Sequence, residues 1–335
     1  MNSKERCLSV IKGVKADKVP VFPLLMFFAQ SRAGIDYKTF SINGHALAEA
    51  QLNMRERFNI DAVTVCSDAF RLPADLGADM VFPADKPPFA ASPLIKSESD
   101  LRKLRKPNLP DSKSRMFDRI IGIRELSANV GSDCLVMGWV DMPFAEACSV
   151  CGISNFMMMI FENPPLAHKI LSLLTDLVID FSLMQLEAGA PAIGAGDAAA
   201  SLISEQLYEE FALPYEQKVC SAIHNKGGLV KLHICGNTTH LLEKMALSGA
   251  DLYNVDHLVD LSLAKNVYDK YGLCYKGNLD PVSDMLSSTP EECGKKSLEC
   301  IKIAGESAYM LSAGCEIPAG TSDEVFRAFC EAEKK

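Results

Sequence analysis

Apolar residues recur along the chain in two alternating rhythms. Eight short runs, 19–26, 62–68, 134–140, 191–197, 228–236, 251–256, 273–280 and 308–317, are dense in apolar and mostly β-prone residues and predict strands. Between them, apolar positions return every three to four residues, most clearly over 164–187, 204–225, 238–248 and 290–304, which predicts helices. Ser204 stands just before the helical run that begins at Glu205, and Pro290-Glu-Glu292 suits a first helical turn. Strand and helix in alternation imply a parallel sheet, and eight such units imply closure into a (β/α)8 TIM barrel of a single domain. A doubly wound open sheet is the rival arrangement. The stretch 72–111, rich in proline from Pro73 to Pro107, is too irregular for one strand–helix unit. It reads as an insertion after the second strand, a lid or partner-contact arm.

Composition narrows the function classes. With 48% hydrophobic and 23% charged residues, the chain of 335 residues can build a sizeable core. A net charge of −9 argues against a nucleic-acid surface, and the longest basic run, Lys103 to Lys106, is short enough to be a solvated helix end. The N-terminus lacks an apolar signal core and no stretch is long and uncharged enough to span a bilayer, so no membrane partner and a cytoplasmic location are expected. There the 12 cysteines should be thiols or metal ligands. Cys7, Cys66, Cys134, Cys220, Cys274 and Cys300 lie in apolar stretches and read as buried packing residues. Cys148-Ser-Val-Cys151 has redox or zinc spacing, but no second pair lies near it, and it too reads as structural. Cys293 and Cys330 suit the surface or helix packing, Met157-Met-Met159 suits a core, and His45, His168, His224 and His240 fall in helical patterns away from ligand positions.

In such a barrel, chemistry collects where the strands end. Asp68, Asp141 and Asp197 close the second to fourth runs; His233 and Cys235 close the fifth, Asp256 and His257 the sixth, Asn278 and Asp280 the seventh, Cys315 and Glu316 the eighth. The sharpest element is Lys231-Leu-His-Ile-Cys-Gly-Asn-Thr238, in which strand alternation puts His233 and Cys235 on one face. A third soft ligand, Cys315, comes from Ser312-Ala-Gly-Cys-Glu-Ile-Pro318. One imidazole and two thiolates suit zinc, and three protein ligands leave a position open for substrate. A His-x-Cys pair alone is equally well a buried histidine beside a core cysteine; the strand-end position of Cys315 favours the metal. Two thiolates and a neutral imidazole cancel the charge of Zn²⁺, so a bound thiol is deprotonated yet stays electron-rich. That set suits alkyl transfer to sulfur better than hydrolysis, which a more positive site would serve.

Through these residues the chain resembles the uroporphyrinogen decarboxylase superfamily, and within it the methylcobamide:coenzyme M methyltransferase-like branch. The likeness runs almost end to end: Val19-Pro-Val-Phe-Pro23, Ser67-Asp68, the stretch 189–197 followed by Leu213-Pro-Tyr215, His233-Ile-Cys-Gly236, Gly277-Asn-Leu-Asp-Pro281 and Gly314-Cys315. The resemblance implies a (β/α)8 fold with zinc on His233, Cys235 and Cys315. It implies methyl transfer from a methylcobamide, carried by a partner corrinoid protein, to a thiol such as coenzyme M or to tetrahydrofolate. Asp256, or alternatively His257 and thirdly Asp197, is the expected fourth zinc ligand, although the branch commonly has a glutamate near this point. Asp68, Asp197 and Asp280 are the candidate catalytic carboxylates that orient the acceptor or shape its pocket. Gly236, Gly277 and Asn278 are candidate cofactor-contact positions, with both glycines serving as backbone turns. The 72–111 stretch is a candidate docking surface for the corrinoid protein. The alternatives are a tetrapyrrole decarboxylase and a non-catalytic barrel that binds a corrinoid protein. Asp68 matches the decarboxylase's essential aspartate, and Gln30-Ser-Arg-Ala-Gly34 faintly follows its arginine-rich stretch. Only Arg32 remains there, however, and Gly314-Cys-Glu316 replaces that enzyme's Gly-His-Gly.

Overall fold

The computed structural model describes residues 1–83, 86–105, 107 and 113–334. Seven strands form one parallel sheet: β1 (Ala62–Thr64), β2 (Leu135–Asp141), β3 (Ala192–Gly196), β4 (Leu229–His233), β5 (Leu252–Asn254), β6 (Cys274–Leu279) and β7 (Tyr309–Ala313). Their order in the sheet is their order in the chain. A doubly wound sheet would reverse direction at a switch point, and this one does not, so the sheet curls.

The expected first strand, 19–26, is instead a segment with two isolated parallel bridges, Val21 to Leu311 and Leu24 to Glu316. Pro20 and Pro23 supply no N–H and interrupt any ladder. The segment nevertheless bonds both edges of the sheet. Phe22 N–H donates to Leu311 O at 2.9 Å, and Asp61 N–H, just before β1, donates to Val21 O at 2.9 Å.

Helices Pro164–Glu187 and Pro290–Ala304 form as their spacing predicts. The second starts on a capping box between Thr289 and Glu292. The single helix expected over 204–225 breaks into Glu205–Phe211 and Leu213–His224, because Pro214 cannot donate back into the preceding turn. The expected helix 238–248 shrinks to a 3₁₀ turn and Leu242–Met245. After β2, helices Pro143–Cys151 and Ile153–Glu162 meet at 108°, at Gly152, whose φ is +80°. Among the described residues, no single helix is long and apolar enough to cross a membrane. The stretch 72–111 carries a two-stranded antiparallel hairpin, Met80–Val81 with Phe89–Ala90, and the 3₁₀ turn Glu98–Lys103. Residues 84, 85, 106 and 108–111 of the expected insertion lie outside the described residues, and with them the end of the Lys103 to Lys106 run.

Two features of the sheet interior position the site. At the ends where the strands begin, Phe22, Ala62, Leu135, Met137, Ala192, Leu252 and Met310 pack with Cys7, Val10 and Ile11 of helix Ser3–Ile11, which plugs that end with apolar side chains. Toward the opposite end the interior turns polar, in rows set by strand register. Trp139, Gly194 and Lys231 share one row; Asp141, Gly196 and His233 share another. The glycine in each row leaves a gap between its neighbours. Over Gly194 the gap is filled by the Trp139 ring, and Lys231 Nζ rests 4.3 Å from the centre of that ring.

Candidate metal centre

His233 is the last residue of β4 and Cys235 follows two positions on, so both reach the same side of the strand end. His233 Nε2 lies 3.1 Å from Cys235 Sγ, and Cys235 Sγ lies 3.8 Å from Cys315 Sγ. The three ligand atoms lie within 4.8 Å of one another. Around one tetrahedral zinc, bond lengths near 2.3 Å to sulfur and 2.0–2.1 Å to nitrogen put two sulfurs about 3.8 Å apart and nitrogen about 3.5 Å from sulfur. The donor set therefore fits zinc in kind and in spacing, with the imidazole slightly close to one sulfur.

The loops that bring these atoms together are fastened to one another. His233 Nδ1 lies 3.2 Å from Asn254 O at the end of β5. With Nδ1–H given to that carbonyl, Nε2 turns its lone pair to the sulfurs. Asn254 also donates from Nδ2 to Gly314 O at 3.0 Å, tying the Cys315 loop to the same strand end. Gly236, at φ +92°, donates its N–H to Asp256 Oδ2 at 2.9 Å, and Asp256 Oδ1 accepts from Leu258 N at 3.0 Å. A side chain on Gly314 would put a Cβ 2.3 Å from His257 N, so only glycine lets the Cys315 loop lie on this backbone.

Two thiols at this distance share one proton. The hydrogen bond from Cys235, against the opposing effect of burial and with help from His233, draws Cys315 down to about 3. The same hydrogen bond, together with burial, drives Cys235 far above the usual thiol range. The arrangement favours the thiolate at Cys315 and the thiol at Cys235, and a divalent cation would displace the remaining proton.

The other expected site residues fall into different roles. Asp256 is buried and both its oxygens serve backbone N–H groups; His257 Nδ1 lies 3.1 Å from its Oδ1. Neither belongs to the group of mutually close ligand atoms found among the described residues. Asn278 donates from Nδ2 to Asp256 O at 3.2 Å and Val259 O at 2.7 Å, and a Cβ on Gly277 would stand 2.6 Å from Val255 O. Both residues hold the loop after β5. Asp280 caps the turn Pro281–Leu286 by accepting from Val282 N at 2.7 Å and Ser283 N at 3.3 Å.

Asp68 is buried in a fork from Arg115, at 3.0 and 2.7 Å, with Ser67 Oγ donating at 2.7 Å and Arg71 3.7 Å away. Burial opposes its ionisation, but the two guanidiniums hold its carboxyl below the usual range. Asp197 is fully buried on the far side of β3. Its Oδ1 accepts from Ala145 N at 2.7 Å, and burial and the facing Glu216 push its carboxyl up. Arg32 is spent on Asp323 at 3.0 Å and on the carbonyls of Ala319 and Thr321.

A cavity of about 550 Å³ opens beside Cys235 and Gly236. Its wall is mainly apolar, from Phe70, Pro93, Ala145 and Ala198, with Cys148 and Asp141 also facing it. The structural reading of Cys148 and Cys151 accords with their burial as free thiols. Asn254, Arg71 and Arg115 were not among the expected site residues. Their only sequence signal is a polar residue inside or beside an apolar run, and their partners lie 47 to 70 positions away.

The chain matches the family described as Uroporphyrinogen decarboxylase (URO-D) over residues 2–335. It is 28% identical over 308 residues to a uroporphyrinogen decarboxylase of Microcystis aeruginosa, covering 89% of this chain and 85% of the relative. To the Coxiella burnetii protein of the same name it is 27% identical over 347 residues, covering 98% and 94%. Among solved structures, a methyltransferase from Methanosarcina mazei superposes with a TM-score of 0.89 at 21% identity, covering 100% of this chain and 98% of that one. A B12-independent methionine synthase from Shewanella sp. W3-18-1 superposes with a TM-score of 0.59 at 13% identity, covering 87% and 85%. At these identities the two structures establish the fold.

Proposed function

Because the chain belongs to the uroporphyrinogen decarboxylase family, and a fold hosts more than one reaction, we propose a function from its own side chains: zinc-dependent methyl transfer. The methyl group comes from a methylated corrinoid carried by a partner protein and goes to a thiol or to tetrahydrofolate. The observation that carries this reading is the meeting of His233 Nε2, Cys235 Sγ and Cys315 Sγ within 4.8 Å. When bound, zinc supplies a positive centre that makes an incoming thiol a thiolate at neutral pH. Asn254 fixes the imidazole, Asp256 and Gly314 fix the two cysteine loops, and the apolar cavity wall keeps water from the nucleophile. Ile153 and Leu202 line the cavity and are 53% and 66% exposed, which supports an apolar rim for a partner-borne cofactor. We read residues 1–335 as one domain, an eight-unit barrel closed by the segment 19–26, working in the cytoplasm.

The test has two parts. The purified protein should hold about one zinc per chain, and Cys315→Ser should lower that occupancy at least about tenfold under competition with a chelator. With free methylcobalamin and 2-mercaptoethanol, the zinc-loaded protein should accelerate conversion to cob(I)alamin, seen by its absorption. Acceleration that survives loss of the cysteine would overturn the proposal.

The decarboxylase reading has one observation in its favour, the shared name and 27–28% identity of the relatives. Against it, Arg32, Arg71 and Arg115 are all engaged by this chain's own acids and carbonyls and are not available to a polycarboxylate. Uroporphyrinogen offered anaerobically should remain undecarboxylated.

A further inference from the structure

Methyl transfer to a thiol requires somewhere for the thiol's proton to go. This inference rests on the function proposed above, and the metal ligands themselves are ill suited to that task. Cys235 and Cys315 bind as thiolates and His233 through its Nε2 lone pair, so protonating any of them would detach it. Among the described residues lining the 550 Å³ cavity beside Cys235, Asp141 is the only carboxylate.

Sheet register places it well. Asp141, Gly196 and His233 are in-register neighbours on three successive strands. Strand spacing puts the Asp141 and His233 α-carbons about 10 Å apart, with side chains on one face. Between them stands a residue with no side chain. A Cβ on Gly196 would lie 3.1 Å from Asp141 Oδ1, so the carboxyl leans over the gap toward the metal ligands. One row below, Lys231 and Trp139 meet over the matching gap at Gly194.

We infer that Asp141 is the catalytic base that receives the proton of a thiol acceptor across the gap at Gly196. The S–H bond breaks, its electron pair stays on sulfur, and the proton forms an O–H bond with Asp141. That pair then makes the S–CH₃ bond as the methyl–cobalt bond breaks and returns its pair to cobalt.

The surroundings keep this carboxyl able to exchange a proton. Burial pushes it up to about 7, against the attraction of Arg71, whose Nη2 lies 3.4 Å from Oδ2, and with the like charge of Asp68. The other titratable groups facing it are Glu146, Asp197 and Cys66, all of which burial raises above their usual ranges.

The test follows the rate of thiol binding against pH. The cobalt(II)-substituted protein is mixed with 2-mercaptoethanol and its sulfur-to-cobalt absorption is followed in time. In the wild type the binding rate should bend near pH about 7, below which Asp141 already holds a proton and cannot take another, and fall by about tenfold toward pH about 6. Asp141→Asn should still bind the metal, bind the thiol at least about tenfold more slowly at pH about 8, and show no bend near pH about 7. A wild-type rate without that bend overturns the assignment, as does a bend that persists at the same pH in Asp141→Asn. A wild type that holds the metal but shows no thiol absorption overturns instead the thiol acceptor of the proposed function, and the assignment with it.

Discussion

Gly314 is the residue on which the geometry of the centre turns most sharply. Its α-carbon lies against the backbone of residues 256–257, and the next residue is Cys315. Gly314→Ala forces two backbones apart, with no flexible side chain to absorb the shift. We expect a loss of about 2 kcal/mol in unfolding free energy, and a loss of at least about tenfold in zinc affinity, since Cys315 Sγ leaves its place 3.8 Å from Cys235 Sγ. Chemical denaturation and chelator competition measure the two effects. At this scale much of the centre was legible. His233 and Cys235 announce themselves by alternation on one strand, and Cys315 by its place at the end of another. Asp68, Asp197 and Asp280 stood out for the same reason, yet the structure gives each a partner that strand-end position cannot reveal: Arg115, Glu216 and the Val282–Ser283 backbone. A strand-end carboxylate looks the same in sequence whether it faces a substrate or an arginine.

At the scale of elements, β3 and the helix Leu213–His224 are joined through two acids. Asp197 follows β3 and Glu216 lies in the helix, where Tyr208 donates to it. Burial pushes the Glu216 carboxyl up to about 7, against the hydrogen bonds from Tyr208 and Asp197. The folded chain therefore binds a proton here that the unfolded chain, with an ordinary glutamate, has given up. A raised carboxyl stabilises the fold fully below its unfolded value near 4.5 and loses that contribution as pH rises to about 7. Over that window the stability of the wild type should fall by about 1 kcal/mol per pH unit from this proton. Glu216→Gln should flatten the slope, read as melting temperature against pH; an unchanged slope would place the proton elsewhere. Element placement was mostly legible too. Period-two and period-3.6 patterns located the seven strands and the long helices Pro164–Glu187 and Pro290–Ala304. Local continuity failed at proline, where Pro20 and Pro23 break up the first expected strand and Pro214 splits a helix whose apolar spacing runs straight through it, and also over 238–248, where only Leu242–Met245 is α-helical.

Across the whole molecule, the interior is graded from an apolar plug at one end to ionisable groups at the other. The plug is pinned by Arg6, which reaches Asp61 at 2.6 Å and Asp17 at 2.7 Å, while Asp61 also accepts from Val21 N at 2.8 Å. One buried acid thus joins the first helix, the proline-interrupted segment and the start of β1. Removing the guanidinium leaves Asp61 charged and enclosed, so Arg6→Ala should cost about 3 kcal/mol of stability. Zinc stoichiometry of the folded fraction should be unchanged, because the centre lies at the opposite end of the strands. Loss of metal from folded Arg6→Ala protein would show that the two ends are coupled. Trp139, the chain's one tryptophan, occupies the row just beneath His233, with Lys231 stacked on its ring. Its indole emission therefore comes from a single known place next to the ligands. Cobalt or copper taken up by His233, Cys235 and Cys315 would quench that light, while zinc would leave most of it, so the unlabelled protein carries its own fluorescent gauge of which ion it holds.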